Sequence, residues 1–140
     1  MDEISEATPG ASDRDRQEML RLLADQMPVV IWTTDRDLRF VSSMGGGLPS
    51  LGFSPDQLVG MSLFDYFHTT DEEFSAIAAH RRALAGESVS YEISWASQVY
   101  SAQVRPLRGK DGEISGVVGV ALDVSDRDRA EKELKRSVAL

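Results

Sequence analysis

The chain has 140 residues, 41% of them hydrophobic, with 15 basic against 23 acidic side chains and a net charge of −8; that length supports one domain able to close its own core. The acidic balance leaves no basic field for nucleic acid or anionic lipid, so neither is expected as a partner, and the lack of cysteine excludes disulfides, thiolate metal sites, thiol nucleophiles and adducts through sulfur. The longest uncharged apolar runs, 27–34 and 114–122, fall short of the about 18 to 20 residues that span a bilayer, and Met1 is followed by Asp2 and Glu3 instead of a basic leader, so the cytoplasm is the expected compartment.

Residues 1–12 are polar and read as a disordered arm. Ser12 then caps a helix over 13–27, with Asp13 and Asp15 in its first turn and Leu20, Leu23, Ala24 and Met27 along one stripe. Pro28 ends that helix and opens the core, 28–125. The runs 29–34 and 38–41 flank Asp35-Arg36-Asp37 as a β-hairpin. Glycines and prolines punctuate 43–63, where Ser54 is placed to cap a short helix through Val59. Residues 71–84 read as the longest core helix, with Phe74, Ile77, Ala78 and Leu84 on its apolar side and Gly86 as its C-cap.

The period then changes. Val89, Tyr91, Ile93 and Trp95 alternate with polar residues, Tyr100, Ala102 and Val104 do the same in a second strand over 99–107, and 108–112 form a turn. A third strand, 114–124, is apolar on both faces and predicts a central position with cover on each side. Residues 126–140 form a charged helix with Ala130, Leu134 and Val138 on one side. The whole is an α+β plan: a five-stranded antiparallel sheet with short helices and one longer helix on one face, flanked by N- and C-terminal helices.

That order, with several local motifs, resembles the PAS family over roughly residues 22–135. Ile31 to Phe40 is similar to the family's first hairpin, and Leu51-Gly52-Phe53-Ser54-Pro55-Asp56-Gln57-Leu58-Val59-Gly60 to the segment that follows it. Asp111-Gly112-Glu113-Ile114 resembles the last hairpin, and Asp123-Val124-Ser125-Asp126-Arg127 the motif that joins a PAS core to its output helix. The resemblance implies a bacterial sensory module that binds a small ligand of unspecified identity or a partner. It would relay the result through its C-terminal helix to an output domain of histidine kinase or diguanylate cyclase type. The alternative is a ligand-free homodimerisation module. In the relay, Asp123 would accept from Arg127 or Arg129 and fix the helix's exit angle, with Ser125 beside it; the plainer reading is that Asp123 and Ser125 only cap the helix.

The pocket such a domain would use implies Trp32, Phe40, Phe53, Phe64, Phe67, Ile77, His80, Tyr91, Trp95 and, more weakly, Arg105. Its structural alternative is a filled aromatic core. Dimerisation would use Leu20, Leu23 and Met27 with Ile31 and Val117 of the outer sheet face, Ala121 beside them. Without cysteine, flavin photochemistry through a thiol adduct is excluded, and His80 lies about two turns past the family's haem-ligand position, near Glu73, so haem is not expected. Gly45-Gly46-Gly47 lacks a following Lys-Ser or Lys-Thr and reads as backbone freedom instead of a phosphate loop. His68 and His80 have no metal-pair spacing, and no nucleophile or acid–base pair has a recognisable setting, so neither a metal site nor an enzyme is expected.

Overall fold

Runs of β-branched and aromatic residues become the strands of one antiparallel sheet in the computed structural model, which describes residues 9–138. The strands are β1 (Val29–Asp35), β2 (Phe40–Met44), β3 (Val89–Trp95), β4 (Gln98–Arg108) and β5 (Ile114–Asp123), in the order β2-β1-β5-β4-β3. Helix α1 (Pro9–Asp25) precedes them, α2 (Leu48–Leu51), α3 (Leu63–Phe67) and α4 (Ser75–Leu84) lie between β2 and β3, and α5 (Ser125–Val138) follows β5. α4 crosses β3, β4 and β5 and buries Ala76, Ile77, Ala79, His80 and Ala83 against them.

Several boundaries move for local reasons. Among the described residues α1 already runs from Pro9, ahead of Ser12, so Ser12 lies within the helix and is not its cap. The expected arm falls partly on residues 1–8, which lie outside the described residues. Leu38 belongs to the hairpin turn instead of β2: Asp35 Oδ1 accepts from the N–H groups of Asp37 (2.8 Å) and Arg39 (3.0 Å), and Leu38 sits at φ 61° with its side chain buried. No helix forms over 54–59. There Asp56 pairs with the end of β2, its N–H donating to Ser43 O (2.9 Å) and its Oδ1 accepting from Ser43 N–H (2.9 Å), and those bonds replace helical ones. Asp71 likewise closes a turn on the Glu73 N–H (2.9 Å), so α4 begins only at Ser75.

The register decides which side of β5 is buried. Trp32 pairs with Gly119 and covers it, so Val117 and Ala121 also point inward, fully or nearly buried. This corrects their placing on the outer face; the residues that flank Ile31 there are Val118, Val120 and Leu122. The outer face of β5 is not covered as expected, since Val120 and Leu122 are 37% and 41% exposed. The triple glycine is a close-approach device: a Cβ at Gly45 would stand 2.1 Å from Val29 O, and one at Gly46 2.4 Å from Met27 O.

The β3–β4 hairpin turns on Ala96 and Ser97, both left-handed at φ 53° and 65°. A two-residue turn of this kind favours Asn-Gly, because a Cβ in that conformation costs energy. The double change Ala96→Asn, Ser97→Gly is expected to raise stability by about 1 kcal/mol, measured as the urea midpoint at constant m-value. An unchanged midpoint would mean the turn holds no strain.

Candidate functional site

Between the sheet's inner face and α2 to α4 lies a cavity of about 70 Å³. Trp32, Phe40, Phe67, His80, Tyr91 and Trp95 line it, brought there by β1, β2, α3, α4 and β3. Four expected residues do not. Phe53 packs on the outer side of Tyr66, with ring centroids 5.9 Å apart, and Phe64 lies beneath the Arg81 guanidinium at 5.9 Å. Ile77 is fully buried in the core away from the cavity wall. Arg105 is exposed and pairs with Val118 on the opposite face, because it alternates out of phase with Val104 and Ala102.

Two tyrosines complete the lining. Tyr66 is the hub of the aromatic cluster, with Phe40, Phe67 and Trp95 at centroid distances of 5.7, 4.8 and 5.7 Å. The spacing of Leu63, Tyr66 and Phe67 on one helical stripe is the signal that marks it. Tyr100 shares a buried face with Ala102 and Val104, an alternation already visible in the sequence.

The polar atoms here are largely spent on one another. Trp32 Nε1–H donates to His80 Nε2 (2.9 Å), and the two rings stack at 28°. Because Nε2 accepts, the proton sits on Nδ1, which donates to Ala76 O at 2.7 Å. Burial outweighs that second bond and lowers His80 from 6.5 to about 4, so it is neutral at pH 7. Trp95 Nε1–H donates to the Tyr66 hydroxyl (3.1 Å), the Tyr100 hydroxyl donates to Gln98, and Ser43 Oγ accepts from Asp56 N–H (3.2 Å). Burial, then the charge of Asp123 and neighbouring Tyr66, raise Tyr100 to about 12. Burial alone lifts the Tyr91 phenol beyond the ordinary range. Neither haem nor flavin fits these residues. The cavity is well under the several hundred Å³ that large ligands occupy, and both ring nitrogens of His80 are engaged, Nε2 by Trp32 and Nδ1 by Ala76 O.

At the exit from β5, Asp123 Oδ1 accepts from Ser125 N–H (2.9 Å), Ser125 Oγ accepts from Val99 N–H (2.9 Å), and Val124 N–H donates to Val99 O (2.8 Å). Asp123 pairs with neither arginine. Arg127 reaches Glu92 on β3 at 2.7 Å and Glu131 at 3.6 Å, while Arg129 pairs with Asp126. The expected Asp123–arginine link is therefore replaced by a short capping bond and an ion pair across to the edge strand. The pair is exposed, so it orients α5 more than it stabilises the fold.

Among the described residues no helix is long and apolar enough to cross a membrane. A family model described as the PAS fold matches residues 24–129, and the chain belongs to that family. No curated protein matches it. Among solved structures, a domain of an HTR-like protein from Haloarcula marismortui is 23% identical at TM-score 0.54, covering 69% of this chain and 98% of that one. A sensory box sensor histidine kinase from Vibrio cholerae is 17% identical at TM-score 0.56, covering 83% and 98%. An RNA-binding light-oxygen-voltage receptor is 21% identical at TM-score 0.62, covering 88% of this chain but 36% of that one. A further similar structure is a Vibrio cholera VqmA–ligand–DNA complex. Proteins of this fold thus include ones described with RNA or DNA, and the expectation of no nucleic-acid partner rests on this chain's acidic charge alone.

Proposed function

We propose that the domain is a sensory input module: a small molecule in the core cavity biases the orientation of α5, which carries that state to an output domain joined beyond it. The observation that carries this reading is continuity. Ala121 on β5 forms part of the cavity wall, β5 ends two residues later at Asp123, and Ser125 opens α5. Trp95 adds a second link, since it lines the cavity and also the groove under the first turns of α5, beside Ser125, Asp128 and Arg129. A ligand that prefers one setting of that ring shifts the helix population by its differential affinity.

The test is Asp123→Ala in a longer protein that carries an output domain. Loss of the capping bond is expected to cost at most about 1–2 kcal/mol of stability while the ratio of stimulated to basal output falls towards one. Intact regulation in the variant would reduce Asp123 to a cap.

A second reading, homodimerisation, is favoured by exposed apolar surface. Leu20 and Leu23 on α1 are 63% and 53% exposed, and Met27, in the turn after α1 ends at Asp25 and so outside the helix expected to reach it, is 50% exposed, close in chain to outward Ile31. Val117, being core, takes no direct part. Leu20→Glu with Leu23→Glu is expected to convert a dimer to monomer in sedimentation velocity and to remove the concentration dependence of the melting temperature, with the circular dichroism of the fold unchanged. A wild-type chain already monomeric at high concentration would rule this reading out.

A further inference from the structure

The cavity's polar census narrows what it can hold. Trp32, His80, Trp95 and Tyr100 have their N–H and O–H donors engaged by protein partners, and Ser43 Oγ accepts from Asp56 N–H. Besides that Ser43 hydroxyl, two phenols remain. Tyr91 lines the cavity with no side-chain hydrogen bond among the described residues, and Tyr66, whose oxygen accepts from Trp95, still has its own O–H to donate. No charged side chain lines the wall, and Arg105 stands on the far face of the sheet. The lowered His80 and raised Tyr91 report how poorly this space solvates charge; an unpaired ion placed there meets the same penalty.

Size sets the second limit. A water needs about 10–15 Å³, so a cavity of about 70 Å³ admits a molecule of about five non-hydrogen atoms. Access is short, because Leu51, Tyr66 and Trp95 line both the cavity and a surface depression beside Phe53 and Met61.

We infer that the cavity takes a small, uncharged, largely apolar molecule bearing a hydrogen-bond acceptor, of the class of short ketones and alcohols, held by the hydroxyls of Tyr91 and Tyr66. This deepens the sensory reading and rests on it.

The chain has two tryptophans, both in the cavity wall, so their indole N–H resonances are reporters. In the ¹⁵N-labelled protein, 2-butanone is expected to move the Trp95 and Trp32 indole signals saturably, while butyrate and butylammonium, similar in size but charged, leave them in place over the same range. Tyr91→Phe keeps the ring and is expected to weaken 2-butanone about 2- to 12-fold, the equivalent of one hydrogen bond, without changing uptake of xenon; Tyr66→Phe is the second variant. Butyrate binding as tightly as 2-butanone, both phenol variants binding 2-butanone like wild type, or xenon entering where 2-butanone does not, would each overturn the inference. A charged or much larger molecule retained in native mass spectrometry would overturn the ligand class and leave the sensory reading standing. Exclusion of xenon and 2-butanone alike, with no retained mass, would remove both.

Discussion

Folding stability is expected to fall by about 3 kcal/mol between pH 7 and pH 4 through His80 alone. In the unfolded chain this imidazole takes up its proton near 6.5, whereas in the fold burial delays protonation to about 4. Between those values the unfolded state holds more protons, so stability rises with pH through the window; the contribution is complete above about 6.5 and gone by about 4. The difference of about two and a half units, at about 1.4 kcal/mol each, sets the magnitude. Protonation also converts Nε2 into a donor, which cannot accept from Trp32, so the indole loses its partner as the imidazole charges. His80→Gln offers an amide oxygen to Trp32 without titrating. Urea midpoints of wild type and variant, measured from pH 7 to pH 4, should therefore diverge as the pH falls, the variant's curve being the flatter. Parallel curves would show that His80 is not held neutral by its surroundings.

Much of this architecture is legible in the sequence because strand periodicity is a local property. Val89, Tyr91, Ile93 and Trp95 share the inward face and the polar residues between them the outward one, as their spacing predicts, and the aromatic residues on the inward faces converge where an α+β sheet with helices on one side requires. What escapes is relational. Val117 and Val118 are chemically alike, and only the pairing of Trp32 with Gly119 decides which points inward. Arg127 has acidic neighbours in its own helix, yet its shortest bond crosses to Glu92, 35 residues earlier, a contact set by the β3–β4–β5 register. Tyr66 stands on α3, between the turn-rich 43–63 and the helix expected from 71, a stretch where no core element is predicted, yet it touches more of the aromatic cluster than any other residue of the cavity wall. The failed helix over 54–59 has the same origin: Asp56, in its middle, is spent on Ser43 of β2, and propensity carries no information about a competing long-range partner.

The second large effect falls on two glycines of the central strand, and their contrast tests register and cavity together. At Gly116 a Cβ would stand 1.9 Å from the carbonyl oxygen of Thr34, which is backbone held by the β1–β5 ladder and has no rotamer to yield. Gly116→Ala is therefore expected to cost more than about 3 kcal/mol, by forcing the two innermost strands apart. At Gly119 the obstruction is the Trp32 indole, 2.4 Å from the added carbon at Cε2 and Cζ2. That ring is anchored by His80 but borders open space, so it can shift into the cavity at the loss of its hydrogen bond. Gly119→Ala should accordingly fold with a smaller penalty, about 1–3 kcal/mol, show a displaced Trp32 indole resonance, and fail to admit xenon. Equal destabilisation by the two changes would contradict the assignment of one to backbone and the other to a movable ring. A Gly116→Ala variant as stable as wild type would mean that β1 and β5 are not paired in this register, and with it would go the inward placing of Ala121 from which the link between cavity and α5 is drawn.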